Sequence, residues 1–171
     1  MPHIMKKLIF CTIAIVLVLF SACKENEEPQ STPRIYMSYF TVNRLGGSGA
    51  ADTLNVRTVG DSYVVDSISV GDTVHVDMLL NAVTNLLTGF VVQMDTTILM
   101  PTFTMYTELE QALAADSKPE EGIFNFLTGY SGATIPMHYV ARKTSTATVT
   151  LTVSSNSEYS PSSLTFKQPV R

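Results

Sequence analysis

Apolar and polar residues alternate along much of this chain, and the alternation predicts β-strands. Over residues 146–154 every second position is apolar, which places Ala147, Val149, Leu151 and Val153 on one face. Residues 73–80 alternate in the same way. A period of two residues is typical of strands that bury one face. The pattern therefore predicts an all-β domain.

Four further segments are predicted to be strands. Residues 35–42 are rich in aromatic and β-branched side chains, and residues 53–59 alternate. Residues 86–94 are almost continuously apolar, which predicts a strand covered on both faces. A strand beginning at Leu164 is predicted to be a short edge strand, because Pro169 has no backbone donor.

Turn signals lie between these segments. Gly60-Asp61 and Gly71-Asp72 each precede a predicted strand, and they lie 11 residues apart. Turns at intervals of 8–12 residues suggest a sandwich or barrel. Two copies are too few for a solenoid. We interpret the copies as consecutive antiparallel strands.

One segment predicts a helix, over about residues 107–115. Thr107 and Glu110 match a capping box, strong helix formers follow, and Pro119 ends the segment. The predicted fold is therefore all-β, an antiparallel β-sandwich over residues 34–171 with one short helix.

Residues 1–22 follow a different pattern. Lys6 and Lys7 precede an apolar run over residues 8–20, and Ser21-Ala22 lead directly to Cys23. Basic, apolar and then small residues are typical of a secretory signal. The run is shorter than the ~20 apolar residues that a membrane span needs. The small pair before Cys23 resembles the lipobox of bacterial lipoproteins, which implies cleavage between Ala22 and Cys23 and a lipid on the Cys23 thiol.

A charged cluster follows the cysteine and contains Lys24, Glu25, Glu27 and Glu28. It resembles the surface-export signal of lipoproteins from the Bacteroidetes. The resemblance implies a lipid-anchored protein on the outer face of the outer membrane, with the periplasmic face as the alternative. Residues 23–33 otherwise contain no apolar stretch, so we expect the lipidated cysteine to be followed by a flexible tether.

Charge and cysteine content exclude several functions. The formal net charge is −4, and loss of Lys6 and Lys7 with the signal makes the mature chain more acidic. Nucleic acid is therefore not an expected partner. Cys11 leaves with the signal, so Cys23 is the one cysteine of the mature protein, which excludes a disulfide, thiol catalysis and zinc–cysteine sites.

Candidate catalytic residues are few. His75 shares the polar face of its strand with Asp77, and we interpret this face as solvated; His138 is interpreted as an ordinary sheet residue. The run from Gly129 to Gly132 matches the start of a nucleophile elbow around Ser131, but the closing glycine is missing. We expect no enzyme and no cofactor, and keep a small hydrolase that uses Ser131 or His75 and Asp77 as a remote alternative.

Aspartates form the one plausible set of calcium ligands. Their spacing does not match a compact calcium loop, and turn chemistry explains two of them. We therefore predict no metal site, with calcium kept as an open alternative. The set consists of Asp52, Asp61, Asp66, Asp72, Asp77 and Asp95.

The motif Val70-Gly71-Asp72-Thr73-Val74, followed by a Gly89-Phe90 strand that ends at Asp95, resembles the first half of cohesin-type and related immunoglobulin-like modules of surface proteins. The resemblance implies an antiparallel immunoglobulin-like β-sandwich. It stops after Leu99, so no dockerin-type partner is carried over. We expect a non-enzymatic binding or assembly module whose ligand is an envelope protein or a glycan. The alternative is a structural subunit of a fimbrial or surface assembly.

Overall fold

The protein, described here from a computed structural model over residues 30–47, 49–60 and 62–171, consists of two packed β-sheets. The predicted all-β sandwich is confirmed. The first sheet contains β1 (Arg34–Met37), β2 (Phe40–Asn43), β3 (Asp52–Leu54), β6 (Thr73–Asn81), β8 (Leu99–Phe103) and β10 (Gly132–Ala141). The second sheet contains β4 (Val56–Val59), β5 (Ser62–Val65), β7 (Leu87–Gln93), β9 (Ile123–Asn125), β11 (Ser145–Ser155) and β12 (Ser162–Val170).

The strand order is β3-β2-β6-β10-β8 in the first sheet, and β1 pairs with the same edge of β6 as β2 does. The order in the second sheet is β4-β5-β12-β11-β7-β9. Strand pairs are antiparallel except for β5 and β12, which run parallel. The fold is therefore a mainly antiparallel sandwich with one mixed sheet.

The inner faces of the two sheets form a shared apolar core. The alternating residues of β6 and β11 are buried as predicted. Phe40 of the first sheet meets Phe166 of the second edge to face, with ring centroids 5.2 Å apart. Phe124 packs edge to face against Phe103, with ring centroids 5.1 Å apart, and at a tilt against Phe90, with centroids 6.0 Å apart. Aromatic pairs of this kind add about 0.5–1.5 kcal/mol beyond the area they bury.

The helix α1 (Thr107–Ala112) is shorter than predicted, and the predicted capping box is wrong. Tyr106 occupies the N-cap position and makes no side-chain cap. Leu113 leaves the helix with an extended backbone and pairs with Phe126, so sheet pairing ends the helix early. Pro119–Glu121 forms a short 3-10 turn. Within the described ranges, no helix is both long and apolar enough to span a bilayer.

Three predicted strands differ in the structure. The segment 35–42 is interrupted at Ser38 and Tyr39, and the segment 53–59 is interrupted at Asn55, where the chain passes from the first sheet to the second. Strands β5 and β6, which follow the two Gly-Asp turns, lie in different sheets, so they are not antiparallel neighbours. Strand β7 buries one face and leaves Thr88 and Gln93 exposed on the other.

Pro169 does not place β12 at an edge. This strand lies between β11 and β5, and Pro169 pairs in register with Thr146. The missing donor falls on the side of β12 that faces Asp66 and Ile68. There the buried amide of Gln168 donates to the carbonyl oxygen of Asp66 at 2.9 Å. A side chain thus supplies the hydrogen bond that the proline backbone lacks.

The same glutamine joins the two sheets. The hydroxyl of Tyr139 on β10 donates to Oε1 of Gln168 on β12 at 2.8 Å, and both side chains are fully buried. Burial raises the pKa of the Tyr139 hydroxyl far above its usual range, so it stays protonated and remains a donor.

Tyr139→Phe is expected to lower the free energy of unfolding by about 1–3 kcal/mol, because Oε1 of Gln168 loses its donor in the core. Gln168→Leu is expected to cost about 3 kcal/mol, since it leaves the Tyr139 hydroxyl and the Asp66 carbonyl unpaired. The double variant should cost about 1 kcal/mol less than the sum of the two. Urea unfolding of the four proteins measures this coupling, and strictly additive costs would contradict it.

Candidate functional site

A groove opens where the first sheet is incomplete. Strands β1 and β2 lie end to end along β6, but β3 pairs with β2 alone. The chain leaves this sheet after Leu54, crosses at Asn55 and continues as β4 in the second sheet. Among the described residues, the edge of β1 that faces away from β6 therefore has no partner strand.

The second sheet is incomplete at the same place. Strand β5 pairs with β12 at Phe166 and Lys167 only. The first half of β12, Ser162 to Thr165, pairs with β11 on one side and with no described strand on the other. Two half-covered strands, one from each sheet, therefore border the groove.

The groove contains two adjoining cavities of about 830 and 500 Å³. Residues 35–40 line the larger cavity, and residues 32–36 and 162–165 line the smaller one. Ile35, Tyr36 and Tyr63 line both. These volumes fall within the range of ordinary ligand sites.

Tyrosines dominate the accessible surface of the groove. Tyr39 is 84% exposed, Tyr36 45% and Tyr63 38%. Between them lie half-buried apolar side chains, including Ile35 and Leu164, that pack against the core from one side. Exposed tyrosines offer large, rigid contact surfaces with a polar tip. The groove is thus suited to binding and offers aromatic contact area.

Arg34 supplies the charge of the groove. Among the described residues that line the two cavities, it alone is ionisable to a charged form at neutral pH. Its guanidinium donates to the hydroxyl of Tyr36 at 3.4 Å, and this hydrogen bond raises the pKa of Arg34. A permanent positive charge therefore lies at one end of an otherwise neutral groove.

Two polar side chains at the groove, those of Asn55 and Ser38, already have partners. The backbone and side-chain amides of Asn55 both donate to Oδ2 of Asp66, at 3.0 and 2.8 Å, and these bonds lower the pKa of Asp66. The hydroxyl of Ser38 accepts from the amide of Asp77 at 2.8 Å. These contacts hold Asn55 and Ser38 in place beside the groove.

The candidate hydrolase residues do not converge. Ser131 immediately precedes Gly132, which pairs with Asn81, whereas His75 lies six positions further along β6, opposite His138. At ~3.3 Å per residue, this separation is about 20 Å. The arrangement offers no nucleophile–base pair.

The structure does bring the two histidines of the domain together. His75 and His138 are cross-strand neighbours on the outer face of the first sheet, with ring centroids 5.5 Å apart. The side-chain amide of Asn43 lies 3.1 Å from Nε2 of His75. The sequence alone does not predict that these histidines meet, because their pairing depends on the register of β6 and β10.

The candidate calcium ligands are dispersed. Asp72 and Asp52 each lie beside Arg44, at 2.9 and 3.7 Å, while Asp95 accepts hydrogen bonds from Thr97. Asp61 lies outside the described residues. In the part of the chain that the structure describes, no three or more histidine, cysteine, aspartate or glutamate residues form a group that could hold a metal ion.

The predicted lipidation and export residues lie outside the described residues. They are Ala22, Cys23, Lys24, Glu25, Glu27 and Glu28.

A scan against protein-family models finds no match to this chain, and a search of curated proteins finds none either. The groove therefore carries the functional argument for the domain.

Sequence reasoning missed the groove. The pattern of apolar and polar residues places Tyr36 and Tyr39 in the predicted strand 35–42 and gives neither them nor Tyr63 a role in binding. The local signal was the density of tyrosine near the start of the domain, with three of the seven tyrosines of the chain between residues 36 and 63. Their meeting depends on the crossing at Asn55, which strand patterning does not predict.

Proposed function

We propose that this protein is a non-enzymatic binding module of the cell envelope, held by a lipid on Cys23 in the outer membrane and exposed at the cell surface. Its ligand, an envelope protein or a glycan, binds in the groove bordered by Tyr36, Tyr39 and Tyr63. The observation that carries this proposal is the groove itself, a cavity of about 830 Å³ with exposed tyrosines.

The position of the groove also supports the proposal. Thr32 and Pro33, at the end of the predicted tether, line the smaller cavity. The residues just before them are attached to the domain, since the amide of Ser31 donates to Oδ1 of Asn85 at 3.0 Å. The seven residue steps from Cys23 to Gln30 span at most ~25 Å when fully extended. A ligand in the groove would therefore be captured within a short distance of the membrane surface.

Photo-crosslinking tests the groove on living cells. A benzophenone amino acid replaces Tyr36 in the full-length protein or, as the control, Leu127. The two positions are equally exposed, at 45% and 46%, but Leu127 follows β9 at the opposite edge of the second sheet. We expect an adduct of defined mass from position 36 and none from position 127.

A second measurement covers a glycan ligand. The detergent-solubilised protein is applied to a glycan array, and we expect any signal to fall at least tenfold in a Tyr39→Ser/Tyr63→Ser variant, because two aromatic contact surfaces are lost. No adduct at position 36 together with no tyrosine-dependent glycan signal would reject the groove as the ligand site.

The alternative function, a structural subunit of a surface assembly, is favoured by the two unpaired strand edges at the groove. Unpaired edges are sites at which other chains add strands. Crosslinking on cells distinguishes this alternative, because a subunit would give a ladder of multiples of its own mass.

A further inference from the structure

The hydrogen bonds of β1 show which backbone groups face the groove. Directly after β1, the amide of Ser38 donates to the carbonyl oxygen of Asp77 at 2.8 Å, so Ser38 directs its N–H toward β6. Direction alternates along an antiparallel strand. Tyr36 therefore also bonds toward β6, whereas Ile35 and Met37 point their N–H and C=O groups toward the groove.

The same reasoning applies to β12. The amide of Ile68 donates to the carbonyl of Pro169 at 3.1 Å, and the amide of Arg171 donates to the carbonyl of Ile68 at 2.8 Å. Odd-numbered residues of β12 therefore face this side, and the register of the strand is continuous back to Ser162. The backbone groups of Ser163 and Thr165 therefore point away from β11, on the side where the first half of β12 has no described partner strand.

The backbone groups of β1 and β12 that face the groove thus form regular rows of hydrogen-bond donors and acceptors. The side chains of Asn55 and Ser38 are engaged, and the tyrosines contribute mostly apolar surface. Donors and acceptors repeated every second residue, about 6.8 Å apart, match the edge of another extended polypeptide.

We propose that the ligand of the groove is an extended segment of another protein; this inference rests on the proposed function of the groove. The segment adds a strand to the free edge of β1 and pairs with Ile35 and Met37. Side chains of the added strand that point inward pack on Ile35, Met37 and Leu164, which are half-buried because the core is open there. The segment therefore has apolar residues at alternate positions.

Charge adds a second requirement for the partner. Arg34 provides the positive charge at the start of β1, in a chain whose formal net charge is −4. A carboxylate on the partner segment, from Asp, Glu or a C-terminus, complements it. The ligand is thus an extended segment with alternating apolar residues and an acidic group at one end.

A library of linear 12-residue peptides, displayed on phage and selected against the full-length protein in detergent micelles, provides the probe. We expect enriched peptides to share the alternating pattern with a terminal acidic residue. In hydrogen exchange by NMR, the bound peptide should slow exchange at the amides of Ile35 and Met37 at least tenfold. The amide of Tyr36, which already bonds to β6, serves as the internal control.

Substitutions at one position give an independent readout. Met37→Pro removes an outward N–H while leaving the bonds to β6, and we expect it to weaken peptide binding about tenfold. Met37→Leu keeps the N–H and should bind normally. Thermal unfolding of both variants reports whether the domain is intact, and if Met37→Pro unfolds, the exchange experiment on the native protein decides.

The outcomes separate this inference from the proposed function. Peptides that bind without slowing exchange at Ile35 and Met37, or a tyrosine-dependent glycan signal with no peptide enriched, would overturn strand addition and leave the groove as the ligand site. Enrichment of segments of this chain itself would overturn the assignment to a different protein. Slowed exchange at Ile35 and Met37, combined with loss of binding in Met37→Pro, supports the inference.

Discussion

Cys23→Ala is expected to abolish lipid attachment completely. The thiol of Cys23 is the acceptor that the lipobox resemblance implies, and the variant has no other thiol at the cleavage site. Each buried CH₂ of an acyl chain contributes about 0.8 kcal/mol to membrane binding, so losing the acyl chains removes the anchor. Metabolic labelling with an alkyne fatty acid measures the attachment, and mass spectrometry of the N-terminus reports whether residues 1–22 are removed.

Cys11→Ala is the matched control. Cys11 lies in the apolar run of the predicted signal, so the substitution also removes a cysteine but leaves the acceptor in place. We expect normal labelling and normal cleavage before Cys23. Fatty-acid label that persists in Cys23→Ala, or a mature protein that retains Cys11, would contradict the lipoprotein assignment.

Asp72→Asn is expected to lower the free energy of unfolding by about 3 kcal/mol at pH 7. The carboxylate of Asp72 is buried and accepts three hydrogen bonds: from the amide of Ser69 at 2.8 Å, the amide of Leu45 at 2.9 Å and the guanidinium of Arg44 at 2.9 Å. An asparagine amide places a donor against at least one of these donors and removes the charge opposite Arg44. Urea unfolding measures the loss.

The effect of this substitution should depend on pH. Burial by itself would raise the pKa of Asp72, but the amides of Ser69 and Leu45 and the guanidinium of Arg44 together lower it. A lowered pKa means that the carboxylate stabilises the fold above its unfolded pKa of about 3.9, and that this contribution is lost as the pH falls through the folded pKa. The difference between the wild type and Asp72→Asn should therefore shrink below about pH 4.

Asp77→Asn provides the control for both measurements. Asp77 is exposed on the outer face of β6, and a surface substitution of this kind costs within about 0.5 kcal/mol. The carboxylates of Asp66 and Asp95 also have lowered pKa values, but they are present in all three proteins and cancel in the comparison. An Asp72→Asn penalty that is constant from pH 7 to pH 3 would show that charge does not contribute.

The alternation of apolar and polar residues predicted the strands that have one face covered along their whole length. In β6 and β11 the alternation of apolar residues has the same period as the pleat, so the buried face follows from the sequence directly. The prediction of an N-terminal signal uses equally local information, because a basic start, an apolar run and Cys23 are contiguous. Neither conclusion requires knowledge of which strands are neighbours.

The tertiary structure alone decided the features that depend on neighbours. Pro169 predicted an edge strand, but Gln168 compensates for its missing donor, and this compensation requires Asp66 to lie opposite. His75 and His138 meet because β6 and β10 pair in one register. The groove exists because the chain changes sheets at Asn55, where an alternating segment looked continuous. The sequence pattern shows which residues need burial or a hydrogen-bond partner. Strand pairing and sheet crossing are set by contacts between residues distant in the chain.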